Sequence, residues 1–214
     1  MPPIAANSGP PVWWEILADV LIIVGTLSVA VLAVWGAWFR QKLAGPRLQI
    51  EGENLRGTVV DTQDGKRLIY YHLRVRNKRR WSSAKNCRVM LRKIERKGPD
   101  GRFHPVRLPV PLQFVWAPAG FTPLLPAIAD QQVLDFGYIA ERSTEDRFIP
   151  TFYVTTNDFD GYVRPKESLR YHLQALADDF ASAALTVVEV AWDGTWSDNL
   201  DEMERHIRIS LIAG

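Results

Sequence analysis

The chain has 214 residues, 47% of them hydrophobic and 23% charged, and its formal net charge is only +2. Its single cysteine, Cys87, excludes an intramolecular disulfide. No repeat, low-complexity tract or Gly/Ser linker divides the sequence, so the stretch after residue 45 is expected to bury one sizeable core.

The first element is apolar. From Val20 to Phe39 there is no charge, no proline and no long polar side chain. Twenty helical residues rise roughly 30 Å, about the thickness of a bilayer's hydrocarbon core. The pattern predicts a transmembrane helix over 13–39, after a short extracytoplasmic N-terminus at 1–12. Trp13 and Trp14 at one end, and Trp35 and Trp38 at the other, fit the aromatic belts of the two interfaces, and Arg40 and Lys42 follow as cationic anchors. Thr26 and Ser28 are expected to bond back to their own helix. A cleaved secretory signal competes with this reading, but residues 1–39 hold no Lys or Arg for its basic leading segment.

Flanking charge predicts orientation. Arg40, Lys42, Arg47 and Arg56 follow the helix, whereas only Glu15 and Asp19 lie at its start. The rule that positive loops stay inside then puts the N-terminus outside a cell (inner) membrane, with a basic juxtamembrane linker at 40–47 and a cytoplasmic domain at 48–214. Ala33 and Ala37, with Gly36 beside them, offer a helix–helix contact for homo-oligomers; ordinary small residues in a monomeric anchor are the alternative. Gly45-Pro46 ends the helix, because proline disfavours a helical residue before it.

After the helix the period changes to two. In 68–76, Ile69, Tyr71, Leu73 and Val75 point one way and Tyr70, His72, Arg74 and Arg76 the other. Cys87, Val89 and Leu91 alternate with Arg88, Met90 and Arg92 in the same manner. Further strands are predicted at 48–52, 57–61, 132–139, 148–155, 169–175, 185–192 and 207–212. Asp64-Gly65, Asp100-Gly101, Asp160-Gly161 and Asp193-Gly194 mark turns between most of them, and at Gly161 a positive φ is expected. The segment 166–180 reads equally as strand or helix. One short helix, 200–205, is expected with Asp198 as its cap. Many short strands imply an antiparallel β-sandwich or barrel.

At Val75-Arg76-Asn77, followed by Ala84-Lys85-Asn86-Cys87-Arg88-Val89-Met90-Leu91, the chain resembles the strand–loop–strand of immunoglobulin-like sandwich modules in prokaryotic surface and membrane proteins. The likeness covers about twenty residues, and Lys78 stands where such modules often carry glycine. It implies a mainly β, immunoglobulin-like antiparallel sandwich that binds or spaces, and it brings no catalytic residues.

The small net charge hides an asymmetry. Fifteen Lys or Arg stand against two acidic residues in 66–107, and seven against sixteen from 108 onward. Arg74, Arg76, Lys78, Arg79, Arg80, Arg88 and Arg92 form the candidate face for an anionic partner or lipid, with Arg88 and Arg92 expected on a strand neighbouring Arg74 and Arg76. A solvated outer face is the plain alternative. Anionic lipid, an acidic or membrane protein, and nucleic acid stacked on Tyr70, Trp81 or Phe103 are the others, nucleic acid being disfavoured for want of any motif.

Catalytic signals are weak. His72, His104, His172 and His206 lack metal-ligand spacing to one another, and Ser82-Ser83 near His72 makes a poor nucleophile–base pair. Asp158, Asp160, Gly161 and Glu167 match part of a calcium loop, but Thr156 occupies its first position and a turn explains the segment better. No cofactor is implied. Residues 105–126, rich in proline and aromatics, predict a long connection that covers the core, docks on a membrane or offers a partner groove. The sequence therefore predicts a membrane-anchored, non-catalytic adaptor, sensor or structural subunit. A lipid-surface domain, or an enzyme assembled from distant residues, are the alternatives.

Overall fold

The computed structural model describes residues 12–63, 65–117, 125–141, 146–178 and 180–212, with 12, 37–44, 125 and 126 described by backbone alone. The chain divides into two compact units, Met1–Ala44 and Gly45–Gly214.

The first unit carries helix α1 (Val12–Ala44). Its stretch Trp13–Gly36 is the one helix among the described residues long and apolar enough to cross a membrane. Leu21, Ile22, Leu27, Val29, Leu32 and Val34 are all exposed, so the apolar surface runs round the helix. Thr26 Oγ1 donates to Ile22 O at 2.8 Å and Ser28 Oγ to Val24 O at 2.7 Å, which removes the two hydroxyls as a polar burden. The helix runs on through Ala44, so most of the linker expected at 40–47 is helical.

The second unit follows in chain order as β1 (Leu48–Asp61), β2 (Arg67–Asn77), β3 (Ala84–Lys97), β4 (Phe103–Val106), β5 (Leu112–Gln113), β6 (Val115–Trp116), β7 (Leu125–Ile128), β8 (Gln131–Ala140), β9 (Phe148–Pro150), β10 (Glu167–Ala177), β11 (Phe180–Ala181), β12 (Thr186–Trp192), α2 (Leu200–His206) and β13 (Ile207–Ile212). Two antiparallel sheets result. The first has the order β1-β2-β8-β6, with β9 on β8; the second has β13-β12-β10-β3-β4, with β5 and β7 on β3 and β11 on β10. The unit is a β-sandwich.

Alternation decides which faces meet. Ile69, Leu73 and Val75 of β2, and Cys87, Val89 and Leu91 of β3, are fully buried between the sheets. Aromatic rings fill the middle: Phe136 lies 5.6 to 5.7 Å, centroid to centroid, from Phe114, Phe148 and Tyr171. Tyr171 donates its hydroxyl to Gly161 O at 2.7 Å, so that phenol is satisfied inside the core. Phe114 and Trp116 are buried, which makes this part of the proline-rich connection a cover for the core; Phe121 and Leu124 lie outside the described residues.

Several expectations are corrected. The two strands expected at 48–52 and 57–61 are one, β1, broken by bulges at Gly52–Thr58. Gly57 permits the irregularity with φ +87°, and a Cβ there would lie 2.4 Å from Ile69 Cγ2. The ambiguous segment 166–180 is mostly strand β10. The strand expected at 148–155 stops at Pro150. The cap of α2 is Asn199, whose side chain accepts from the amides of Asp201 and Glu202, not Asp198. Gly161 is absent from the residues at positive φ; a Cβ there would instead crowd Phe159 at 2.4 Å and Ile94 at 2.6 Å, so a larger residue would have to displace those side chains.

Candidate functional site

Strand direction gives the sandwich a near end, where the chain arrives from α1 at Gly45, and a far end. Leu48, Asn77 and Ala84 lie at the near end, and Asp61, Arg67, Lys97, Glu167, Trp192 and Ile207 at the far end. The eleven residues of β2 separate the two by about 35 Å.

Asn77 organises the near end. It is fully buried, and its Oδ1 accepts from the amides of Arg47 and Arg79, each at 3.1 Å. Its Nδ2 donates to Ser82 O at 2.6 Å and Ile128 O at 3.2 Å. One amide thus holds the arriving chain, the 78–83 loop and the β7–β8 turn together. Arg79 adds a hydrogen bond to Gly45 O at 3.1 Å. The loop presents Lys78, Arg80 and Trp81 to solvent, and Trp81 is 75% exposed. Lys78 pairs with Glu51, and Arg80 with Asp130 at 2.9 Å. Arg76, Asn77, Lys78, Arg80 and Trp81 line a cleft of about 370 Å³.

The seven basic residues singled out by the sequence do not form one face. Arg74 and Arg76 lie on the outer side of the first sheet and Lys78, Arg79 and Arg80 in the loop. Arg88 and Arg92 sit on the outer side of the second sheet, because β3 belongs to that sheet rather than beside β2. Arg74 pairs with Glu53, and Arg92 donates to Gln174 at 2.7 Å. Of the interface anchors, Trp13, Trp14 and Trp35 are exposed on α1; Trp38, Arg40 and Lys42 belong to the helix, but their side chains lie outside the described residues.

The far end carries a groove of about 560 Å³ that the charge count did not single out. Lys97 from β3, Lys166 before β10, Arg205 from α2 and Arg208 from β13 line it, together with His206 and Trp192. None of these four cations has an ion-pair partner among the described residues. The carboxylates of the same groove are all engaged. Glu167 pairs with Arg96 at 3.5 Å and Arg164 at 3.7 Å, Glu189 with Arg170 at 2.8 Å, and Asp193 with His206 at 2.8 Å. The groove therefore keeps an unspent positive charge. Lys166 sits at φ +66°, a left-handed conformation that costs a non-glycine residue about 1 kcal/mol. Its amide is held to Trp192 O at 2.8 Å.

The far-end turn, whose residues match part of a calcium loop, is tied by arginines. Asp160 accepts from Arg96 at 3.0 Å and from Arg164 at 2.6 Å, and Arg96 also reaches the Asp160 carbonyl at 2.7 Å. The hydrogen bond from Arg96 leads the effects that hold the Asp160 carboxyl below its ordinary range. Among the described residues no three His, Cys, Asp or Glu side chains are grouped to hold a metal. Each histidine instead faces one carboxylate: His72 with Asp135 at 3.1 Å, His104 with Asp100 at 3.1 Å, His172 with Glu95 at 2.7 Å and His206 with Asp193. Ser168, near the groove, donates to Glu189 at 3.1 Å. Cys87 is buried, and burial pushes its thiol up to about 11.

No protein-family model, no curated protein and no solved structure matches the chain.

Proposed function

We propose that this chain is a single-pass, membrane-anchored adaptor whose sandwich holds an acidic segment of a partner protein in the far-end groove. The observation that carries the reading is the convergence of Lys97, Lys166, Arg205 and Arg208, without ion-pair partners among the described residues, on one groove whose carboxylates are already paired. Anionic side chains entering there meet positive charge that no ion pair among the described residues engages. The helix supplies the anchor, and its flanking charges support an N-out orientation with the sandwich in the cytoplasm. An immunoglobulin-like kinship belongs to the same reading. It is supported by the way Asn77 ends one strand, a loop crosses between the sheets, and Ala84 opens a strand of the other.

The test is isolation of the full-length protein from its native membrane in mild detergent, followed by carbodiimide coupling, which joins lysine amines to carboxylates in contact. A stoichiometric partner is expected, coupled through acidic residues to Lys97 or Lys166 and released by salt. Reversal of Lys97, Arg205 and Arg208 to Glu should abolish it at unchanged melting temperature. A partner retained by that triple variant, or a lone monomer, overturns the reading.

A further inference from the structure

The near end carries a second, independent basic feature, and its surroundings say what it meets. Among the described large apolar residues of the sandwich, Trp81 is the most exposed, and it shares its cleft with Arg76, Lys78 and Arg80. An indole beside cations is the side-chain set of a membrane interface, where the ring sits among headgroups and the charges meet phosphate. Around the cleft, Arg47, Arg76, Lys78 and Arg80 stand against Glu51 and Asp130 among the described residues, so the patch stays positive after the Lys78–Glu51 and Arg80–Asp130 pairs are formed.

Its place in the chain supplies the second argument. The apolar run ends at Phe39 and α1 ends at Ala44, so helix continues for five residues beyond the run. Those residues rise about 7 Å, close to the depth of one headgroup layer. Gly45 therefore leaves the helix at headgroup level. The loop is fastened to that point, by Arg79 to Gly45 O and by Lys78 N to Arg47 O at 2.8 Å. Asn77 fixes the same loop from inside. The loop is thus tied to the residues by which the chain enters the sandwich.

We infer that the 78–81 loop seats anionic phospholipid headgroups of the bilayer that holds α1, with phosphate in the cleft of Arg76, Lys78 and Arg80 and the Trp81 ring at the interface. This inference rests on the membrane-spanning reading of α1 but not on the far-end groove.

The experiment uses the full-length chain in vesicles of phosphatidylcholine, with and without phosphatidylglycerol. Ser83→Cys, at an exposed loop position, carries an environment-sensitive dye; the buried Cys87 thiol leaves that position as the reactive one. Arg102→Cys, exposed at the far end, carries the control. With phosphatidylglycerol, the dye at 83 should be quenched several-fold less by aqueous iodide than the dye at 102, and quenched by a nitroxide placed at headgroup depth. High salt should remove this protection. So should the joint reversal of Arg76, Lys78 and Arg80 to Glu. Trp81→Ala, which removes only a solvent-exposed ring, should weaken it while leaving the fold intact. Equal iodide access at 83 and 102 in both vesicle types overturns the inference. Should the chain fail to float with vesicles at all, the spanning reading of α1 fails and this inference with it, a result distinct from a floating chain whose loop stays wet.

Discussion

At the scale of single residues, one buried amide joins three segments of the near end. Asn77 is used on both sides, two amides donating to its oxygen and its nitrogen donating to two carbonyls. Asn77→Asp keeps the shape and reverses half of that chemistry. The donors to Ser82 O and Ile128 O disappear, and a carboxylate oxygen faces those carbonyls inside the protein. Stranding buried polar groups costs about 1–3 kcal/mol each, so the variant should lose on the order of 3 kcal/mol of stability, read as a lower melting temperature. Asn77→Ala should lose a similar amount, because all four backbone partners are stranded. An unchanged melting temperature in both would show that the loop is held by other means. The sequence marks Asn77 as the end of a strand. It does not reveal the amide's partners, because Ile128 is 51 positions away and meets it only after the sheets have folded.

At the scale of elements, alternation was legible and irregularity was not. The inward positions of β2 and the start of β3 follow from period two alone, since each strand has one buried face. Bulges break that inference. Between His172 and Leu173 of β10 the pairing with β3 slips, so Arg92 and Lys93 both stay outside and Ile94 turns inward. The charged face failed for a related reason. Counting along the chain joins β2 and β3 into one basic stretch, whereas the fold sends them to different sheets. The far-end groove draws instead on four separated segments, and its character depends on which carboxylates are already taken, a property of contacts rather than composition.

Pairing at the far end also makes a pH prediction. Asp160 joins β3, through Arg96, to the turn before β10, and its carboxyl is held below the ordinary range in the folded chain. A carboxyl depressed on folding contributes stability above its unfolded value, near pH 4, and that stability is lost as pH falls through the lower folded value. The melting temperature of the sandwich should therefore decline as the medium is acidified below about pH 4. Asp160→Asn should start lower at neutral pH and show a shallower decline. A decline of equal steepness in both proteins would assign the acid sensitivity to other carboxylates, such as Glu95, which Lys93 and His172 hold down in the same way.

At the scale of the whole molecule, the proposed headgroup seat and the charges that flank α1 favour the same side of the membrane. Anionic lipid is concentrated in the cytoplasmic leaflet, where each nearby Lys or Arg gains about 1 kcal/mol. A headgroup-seating loop next to Gly45 is useful only if the sandwich lies on that side. The flanking charges lead to the same side by a different physical route, the resistance of Arg40, Lys42 and Arg47 to translocation during insertion. A reporter active only in the cytoplasm, fused after Gly214, should therefore give signal, and one active only outside should be silent. Moving the positive charge should reverse the outcome: lysines added before Trp13, together with Arg40→Glu and Lys42→Glu, should deliver the second reporter to the outside. If the unaltered chain already places its C-terminal reporter outside, the positive loop has not governed insertion. The 78–81 loop would then face the leaflet poorer in anionic lipid, and its cations would need a partner other than phosphate headgroups.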